Sequence, residues 1–273
     1  MFAMGIHLIS LIVAHLLSKL SFNEHTDHLI FTGDLVSRGP SSAAVLDLAI
    51  SLNASCVRGN HEDRILLAHR DTVSHPLTLP GLGHEAIPPL AGPNGSDQQG
   101  KPSEQASLAT TSATDDLTLA RTLTPPQITY LTSCPLILHL ARLPYLGPTH
   151  VVHGGLVPGV PLEHQDPVAV MNMRTIDSKT HVPSRRERGI PWAKLWDRWQ
   201  SLLPKEERAT VIYGHDSHRG LRLGKYSNGL DSNCVRGGKL TALVVEEGKK
   251  GKGLGTVGVR CNNYVSKSKK KHG

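Results

Sequence analysis

Residues 28–39 read HLIFTGDLVSRG. Leu29-Ile30-Phe31-Thr32 is an apolar, β-rich run, and Gly33-Asp34 ends it. Such a run suits a buried strand, and the glycine turns it into a tight loop that presents a carboxylate. The same arrangement recurs three times. Residues 55–58 run into Gly59-Asn60-His61-Glu62, residues 149–152 into His153-Gly154-Gly155, and residues 210–213 into Gly214-His215. Side chains at the carboxyl ends of sheet strands converge on one crevice, and a neighbouring glycine lets the backbone approach it closely. One such ending reads as a surface loop. Four of them, offering carboxylate, amide and imidazole, read as a site for divalent cations such as Mn, Fe or Zn.

Outward from these loops, apolar spacing predicts helices at 8–20, 41–52, 62–70, 115–122, 125–132, 167–173 and 191–203. Further strands are expected at 136–140, 225–234, 240–246 and 256–261. Short strands alternating with helices indicate an α/β fold. The apolar run at residues 2–20 carries His7, Ser10 and His15 and no basic start. It is read as a short strand stub followed by a buried helix, rather than a leader or a membrane span. From about 74 to 114, Pro, Gly, Ser, Thr, Ala and Gln replace every apolar period, which predicts a disordered insertion. The expected organisation is one domain, 1–264, with that insertion, and a basic tail at 265–273.

The net charge is +7, but eight basic residues and no acid lie from Lys249 onward, leaving the rest near −1. A terminal lysine run is read as a solvated tail. A nucleic-acid role is disfavoured because no aromatic stacking surface accompanies it. The four cysteines, Cys56, Cys134, Cys234 and Cys261, show no paired spacing. They are expected to be buried free thiols in a reducing compartment, hence a cytoplasmic protein. A vacuolar location would follow if a further N-terminal segment carried an anchor.

GDLVSRG (33–39), GNHE (59–62), VHGG (152–155) and YGHD (213–216) together resemble, in order and spacing, the signatures of calcineurin-like metallophosphoesterases. Residues 153–167 and 229–243 look like the branch of the fungal zinc-dependent endopolyphosphatase and the diadenosine-tetraphosphatase-like enzymes. The resemblance implies an α/β/β/α sandwich of two mixed sheets flanked by helices. It implies a hydrolase with two divalent ions (Zn, Mn, Fe or Co) that activate a hydroxide for in-line attack. Asp34 would bridge the ions, and Asn60, His153 and His215 would complete the second. His61 would protonate the leaving oxygen, and Arg38 would hold the phosphoryl oxygens. His218, in His215-Asp216-Ser217-His218, stands between a ligand and a polar residue at the cleft mouth.

Two positions depart from the family pattern. The family opens with Asp-x-His on its first strand; here His7 matches the His as a first-metal ligand, but Gly5 stands where the Asp belongs. Ser37 stands where many protein phosphatases place an Asp that pairs with the catalytic His. The favoured substrate is a polyanionic phosphoanhydride such as polyphosphate. Phosphoprotein and dinucleoside polyphosphate are the alternatives, as is an inactive binding protein on account of Gly5. Arg185, Arg186 and Arg188 form a basic loop that either lines a path for the anion or is a solvated surface.

Overall fold

The computed structural model describes residues 2–4, 10–39, 41–74, 114–247 and 253–264. The positions of Gly5 and His7, nearly all of the expected insertion, and the tail at 265–273 lie outside the described residues.

The chain opens with strand β1 (Phe2–Met4) and helix α1 (Ser10–Lys19), then β2 (Leu29–Phe31), α2 (Ser42–Ser51), β3 (Ser55–Cys56) and α3 (Asn60–Ser74). Helix α4 covers residues 114–122 and α5 is Pro125–Ser133. The second half comprises β4 (Ile137–Leu143), β5 (Gly147–Val152), α6 (Pro167–Asn172), β6 (Thr175–Ile176), β7 (Pro183–Ser184), β8 (Ile190–Pro191) and α7 (Trp192–Leu202). It ends with β9 (Thr210–Tyr213), β10 (Arg222–Leu223), β11 (Ser227–Gly229), β12 (Lys239–Val245) and β13 (Leu254–Arg260).

Two mixed five-stranded sheets form the body, ordered β13-β12-β1-β2-β3 and β10-β11-β9-β5-β4. Ile30, Val57 and Leu243 from the first sheet side pack against Val151, Ile212 and Leu230 from the second, all nearly inaccessible. The outer face of the first sheet is covered by α1, α2, α3 and α5, with Val13, Leu16, Leu46, Ile65 and Leu131 in that layer. The outer face of the second is covered by α6 and α7, with Val170, Trp192 and Trp196. The architecture is therefore helix, sheet, sheet, helix, as the family resemblance implies. The stub β1 lies mid-sheet, antiparallel to β12 and parallel to β2. The small sheet β7-β6-β8 sits to one side.

Several boundaries differ from expectation. Helix α3 begins at Asn60, not at 62, so Asn60 and His61 belong to its first turn. Glu62 and Asp63 there favour the positive helix end. The expected strand at 225–234 shortens to β11, because Asp231 Oδ1 accepts from the Asn233 N–H and turns the chain. The strand at 136–140 extends to Leu143 through a register shift between Leu140 and Arg142.

The cysteines require a correction: none of the four is free. Cys56 at the end of β3 is bonded to Cys134 after α5, and Cys234 to Cys261 after β13. Their Cα atoms lie 5.1 and 5.2 Å apart, although 78 and 27 residues separate them in sequence. These separations suit a disulfide. Sheet pairing creates the proximity, and sequence spacing carries no trace of it.

Candidate metal centre

Three of the four Gly-containing strand endings place a buried ligand-type side chain at one point. One ligand atom each from Asp34, His153 and His215 lies within 4.8 Å of the others, and all three residues are buried. Asn60 joins them, its Oδ1 being 3.1 Å from His153 Nε2. Asp34 Oδ1 is also 3.1 Å from that nitrogen.

The backbone decides which nitrogen each imidazole offers. His153 Nδ1 lies 2.8 Å from the Thr32 carbonyl and donates to it, so Nε2 faces the Asp34 and Asn60 oxygens. His215 Nε2 donates to the Asn172 carbonyl at 2.9 Å, which leaves Nδ1 for the centre. Metal-bound histidines are oriented in this way by the hydrogen bond of the other nitrogen. A nitrogen turned toward two oxygen acceptors in a buried site calls for a cation or a proton between them. The donor set, carboxylate and amide oxygen with two imidazoles, therefore fits a borderline divalent ion.

The electrostatics agree. Burial, the largest single influence, would lower the His153 pKa, but the charge and hydrogen bond of Asp34, the Thr32 carbonyl and Glu62 together hold it above the ordinary value. His215 is held well below its ordinary value by burial, then by His153 and Arg174, and is therefore neutral, the form in which an imidazole can accept a metal ion. His61 is pushed down to about 4 by burial, with Asp34 opposing and Arg38 and Arg64 reinforcing the fall.

Tight local geometry maintains the centre. Asp34 sits at φ +54°, and Gly33 before it at φ +89°. A Cβ on Gly33 would come within 2.6 Å of His153 Nδ1, so only glycine permits this approach. Glu62, fully buried, clamps the two oxygen-bearing loops together. Its Oε2 accepts from the Asp34 N–H at 2.6 Å and the Gly59 N–H at 2.8 Å, and its Oε1 from the Leu35 N–H at 2.6 Å. Burial and Asp34 push its pKa up to about 7.

Arg38 is adjacent. Burial lowers its pKa, Asp34 raises it, and Arg64, Arg236 and Arg174 lower it further. Three further guanidiniums thus lie near enough to Arg38 to disfavour its charge. Arg174 and Asp216 line a cavity of about 550 Å³ together with Arg219 and Arg222. A second cavity, of about 620 Å³, is lined by Asn172, Arg185 and Arg186.

Asp34, Asn60, His153, His215, His61 and Arg38 are thus brought together, while His7 lies outside the described residues. His218 is half-exposed and its Nδ1 lies 3.5 Å from Glu187, so it takes the polar-surface alternative. The side chains of Arg185, Arg186 and Arg188 are exposed, and the loop's backbone is held by Arg174 and Thr175. Sequence reasoning assigned no role to Glu62, though it stands inside GNHE. It also passed over Arg64, Asp116 and Arg174, whose contacts include ones across 52 residues (Arg64 to Asp116) and 41 residues (Arg174 to His215).

A family model for the calcineurin-like phosphoesterases matches residues 11–244. The chain belongs to this family. It is 27% identical over 230 residues to the zinc-dependent endopolyphosphatase of Saccharomyces cerevisiae, covering 80% of this chain and 66% of that protein. The symmetrical bis(5′-nucleosyl)-tetraphosphatase of Coxiella burnetii is also 27% identical, over 277 residues, covering 84% of this chain and 82% of that enzyme. Among solved structures, a candidate diadenosine tetraphosphatase superposes with a TM-score of 0.67 at 27% identity, covering 96% of this chain and 93% of the other.

Proposed function

We propose that this chain hydrolyses phosphoanhydride bonds of a polyanion, with inorganic polyphosphate the favoured substrate. One observation carries the reading: Arg38 lies beside the Asp34 of the Asp34-Asn60-His153-His215 donor set, and Arg64, Arg236 and Arg174 lie near enough to Arg38 to act on its charge. A single terminal phosphate would leave several of these cations unneutralised, whereas a chain of phosphates neutralises more of them. The likeness to an endopolyphosphatase supports the same substrate class.

The site would hold two divalent ions, zinc being favoured. Such ions, when bound, lower the pKa of water and neutralise charge on the phosphoryl oxygens. The protein's own groups do the remaining work. Asp34, Asn60, His153 and His215 would hold the ions, and Arg38 would clamp the phosphoryl oxygens. His61, once protonated, would deliver its Nε2 proton to the leaving oxygen and return to the neutral ring; that nitrogen lies 3.7 Å from Asp34 Oδ2 and so faces the centre. Arg174, Arg185, Arg186, Arg219 and Arg222 would extend the basic surface along the two cavities.

A second reading, dinucleoside polyphosphate hydrolysis, is supported by the Coxiella relative, which aligns over most of both chains. The two disulfides favour an oxidising compartment over the cytoplasm. Among the described residues, no helix is long and apolar enough to cross a membrane.

The test is phosphate release and chain shortening by purified protein with Zn or Mn. Long-chain polyphosphate, diadenosine tetraphosphate, a phosphopeptide and a simple phosphomonoester would be compared. Polyphosphate should give the highest kcat/KM. Turnover of the phosphopeptide alone would overturn the substrate reading. Absence of turnover on all four, with ions bound, would favour a binding protein instead.

A further inference from the structure

A further strand ends on the same side of the second sheet as β5 and β9. Strand β11 runs parallel to β9, with Gly229 opposite Tyr213, and β9 runs parallel to β5. The Leu230 N–H donates to the Tyr213 carbonyl at 2.9 Å, which carries the pairing one residue past the strand. The next residue, Asp231, therefore leaves the sheet at the end where His215 leaves it.

Asp231 is only 3% exposed. Its Oδ1 accepts from the Asn233 N–H at 3.0 Å, which locks the carboxylate. Its Oδ2 is buried and has no hydrogen-bond partner among the described residues. Burial pushes its pKa up to about 6; the Asn233 hydrogen bond opposes this, Asp34 adds to it, His153 opposes it and Asp216 adds to it. Asp231 thus lies within electrostatic reach of the donor set. Arg236, in the turn that follows, acts in the same way on Arg38. The turn at 231–236 borders the centre at both points.

A buried carboxylate oxygen must be met by a donor, a proton or a cation. Among the described residues no donor reaches Asp231 Oδ2. Asp216 has Arg219 and Arg174 beside it as ion-pair partners, whereas Asp231 is repelled by both Asp34 and Asp216.

We propose that Asp231 is a ligand for the second of the two divalent ions, held between Asp231 and Asp34 on an oxygen-rich side of the centre. The inference rests on the reading of Asp34, Asn60, His153 and His215 as a metal centre. A divalent ion there offsets both carboxylates, where a proton would offset one. Carboxylate oxygens favour the harder ions Mn²⁺ and Mg²⁺, whereas the imidazoles of His153 and His215 suit zinc. The two positions therefore differ in the ion they prefer.

The test uses the full-length protein carrying one equivalent of zinc, titrated with Mn²⁺ while free Mn²⁺ is followed by its paramagnetic resonance signal. Wild type should bind one Mn²⁺ per chain. Asp231→Asn keeps the shape and the acceptor for the Asn233 N–H. It should weaken Mn²⁺ binding more than about 10-fold, at least the loss that a change outside the ligand set produces, and leave the zinc content unchanged. Thermal unfolding separates a ligand from a structural residue. Without Mn²⁺ the variant should melt at or above the wild-type temperature, because the unpartnered charge is gone. With Mn²⁺ in excess, wild type should gain stability by mass action and the variant should not. Asp231→Ser repeats both measurements if the asparagine variant does not fold. Wild type that holds no zinc overturns the reading of the centre, and this inference falls with it. Wild type that holds zinc, but binds Mn²⁺ no better than the folded variant, overturns this inference alone. A variant that melts below wild type without Mn²⁺ and gains equally from Mn²⁺ does the same, and assigns Asp231 a structural role.

Discussion

The two halves of the sandwich bring their ligands to the same point by different means. The first-sheet half supplies the oxygen donors of the candidate centre, Asp34 and Asn60, and surrounds them with an aliphatic core, a buried clamp at Glu62 and both disulfides. The second-sheet half supplies the imidazoles, His153 and His215, over an aromatic layer in which Trp192 meets Tyr213 edge-on at 4.7 Å. Oxygen ligands on short loops are fixed by tying their backbones together. Imidazoles are fixed by committing one nitrogen to a carbonyl. The halves also interlock, because the carbonyl that orients His153 is Thr32 O, from the opposite sheet.

The comparison is broken most completely at Asp34, which touches both halves through His153 and the His61 N–H. Asp34→Asn retains the shape and removes the charge. Zinc affinity should fall by more than about 100-fold, beyond the loss typical of changes outside the ligand set, and phosphate release should fall with it. Equilibrium metal titration and the release assay check this together. Retention of tight zinc would place the ions elsewhere.

The next effect separates the halves. Trp192 is 2% exposed, and its ring fills the space that any side chain on Gly155 would need. Trp192→Ala should cost about 3–5 kcal/mol by urea unfolding and displace His153 more than Asn60. In the first half, reducing the Cys56–Cys134 bridge opens a closure of 78 residues, worth about 4.5 kcal/mol in the chain-entropy account. Mild reductant should therefore lower stability, and the Cys56→Ser/Cys134→Ser double variant should match that loss while leaving the Trp192–Tyr213 contact intact. A variant as stable as wild type would show that β3 and α5 hold together without the bridge.

The strands, the order of the motifs and the converging ligands were legible in sequence because each is a local event: an apolar run, a glycine, a ligand. The helix-sheet-sheet-helix layering followed from family likeness rather than from any single window. What escaped reading is long-range. Cys56 and Cys134 meet only because β3 pairs with β2 and α5 packs behind it. Asp116 reaches Ser37 and Arg64 only because α4 returns to the cleft after the segment that composition marks as an insertion. Glu62 was visible in its motif, but its four backbone N–H partners, three of them at 34–36, depend on the folded approach of two loops.

The smallest effect lies on the outer face of the second sheet, where paired strands β4 and β5 bring His139 and His150 together, Nδ1 to Nδ1 at 3.0 Å. Burial, and then His139, pushes the His150 pKa down to about 4. A histidine whose folded pKa lies below its unfolded value near 6.5 gives the unfolded chain the higher proton affinity. Its contribution to stability is whole above about pH 6.5 and is lost progressively as pH falls toward 4. After discount for partial solvent screening, about 1–2 kcal/mol should disappear over that window. His150→Phe removes the titration and keeps the ring volume, so its unfolding free energy should decline less between pH 6.5 and 4 than that of wild type. Parallel acid limbs would assign the pH sensitivity to other groups and leave the aromatic half without a proton-linked weakness of its own.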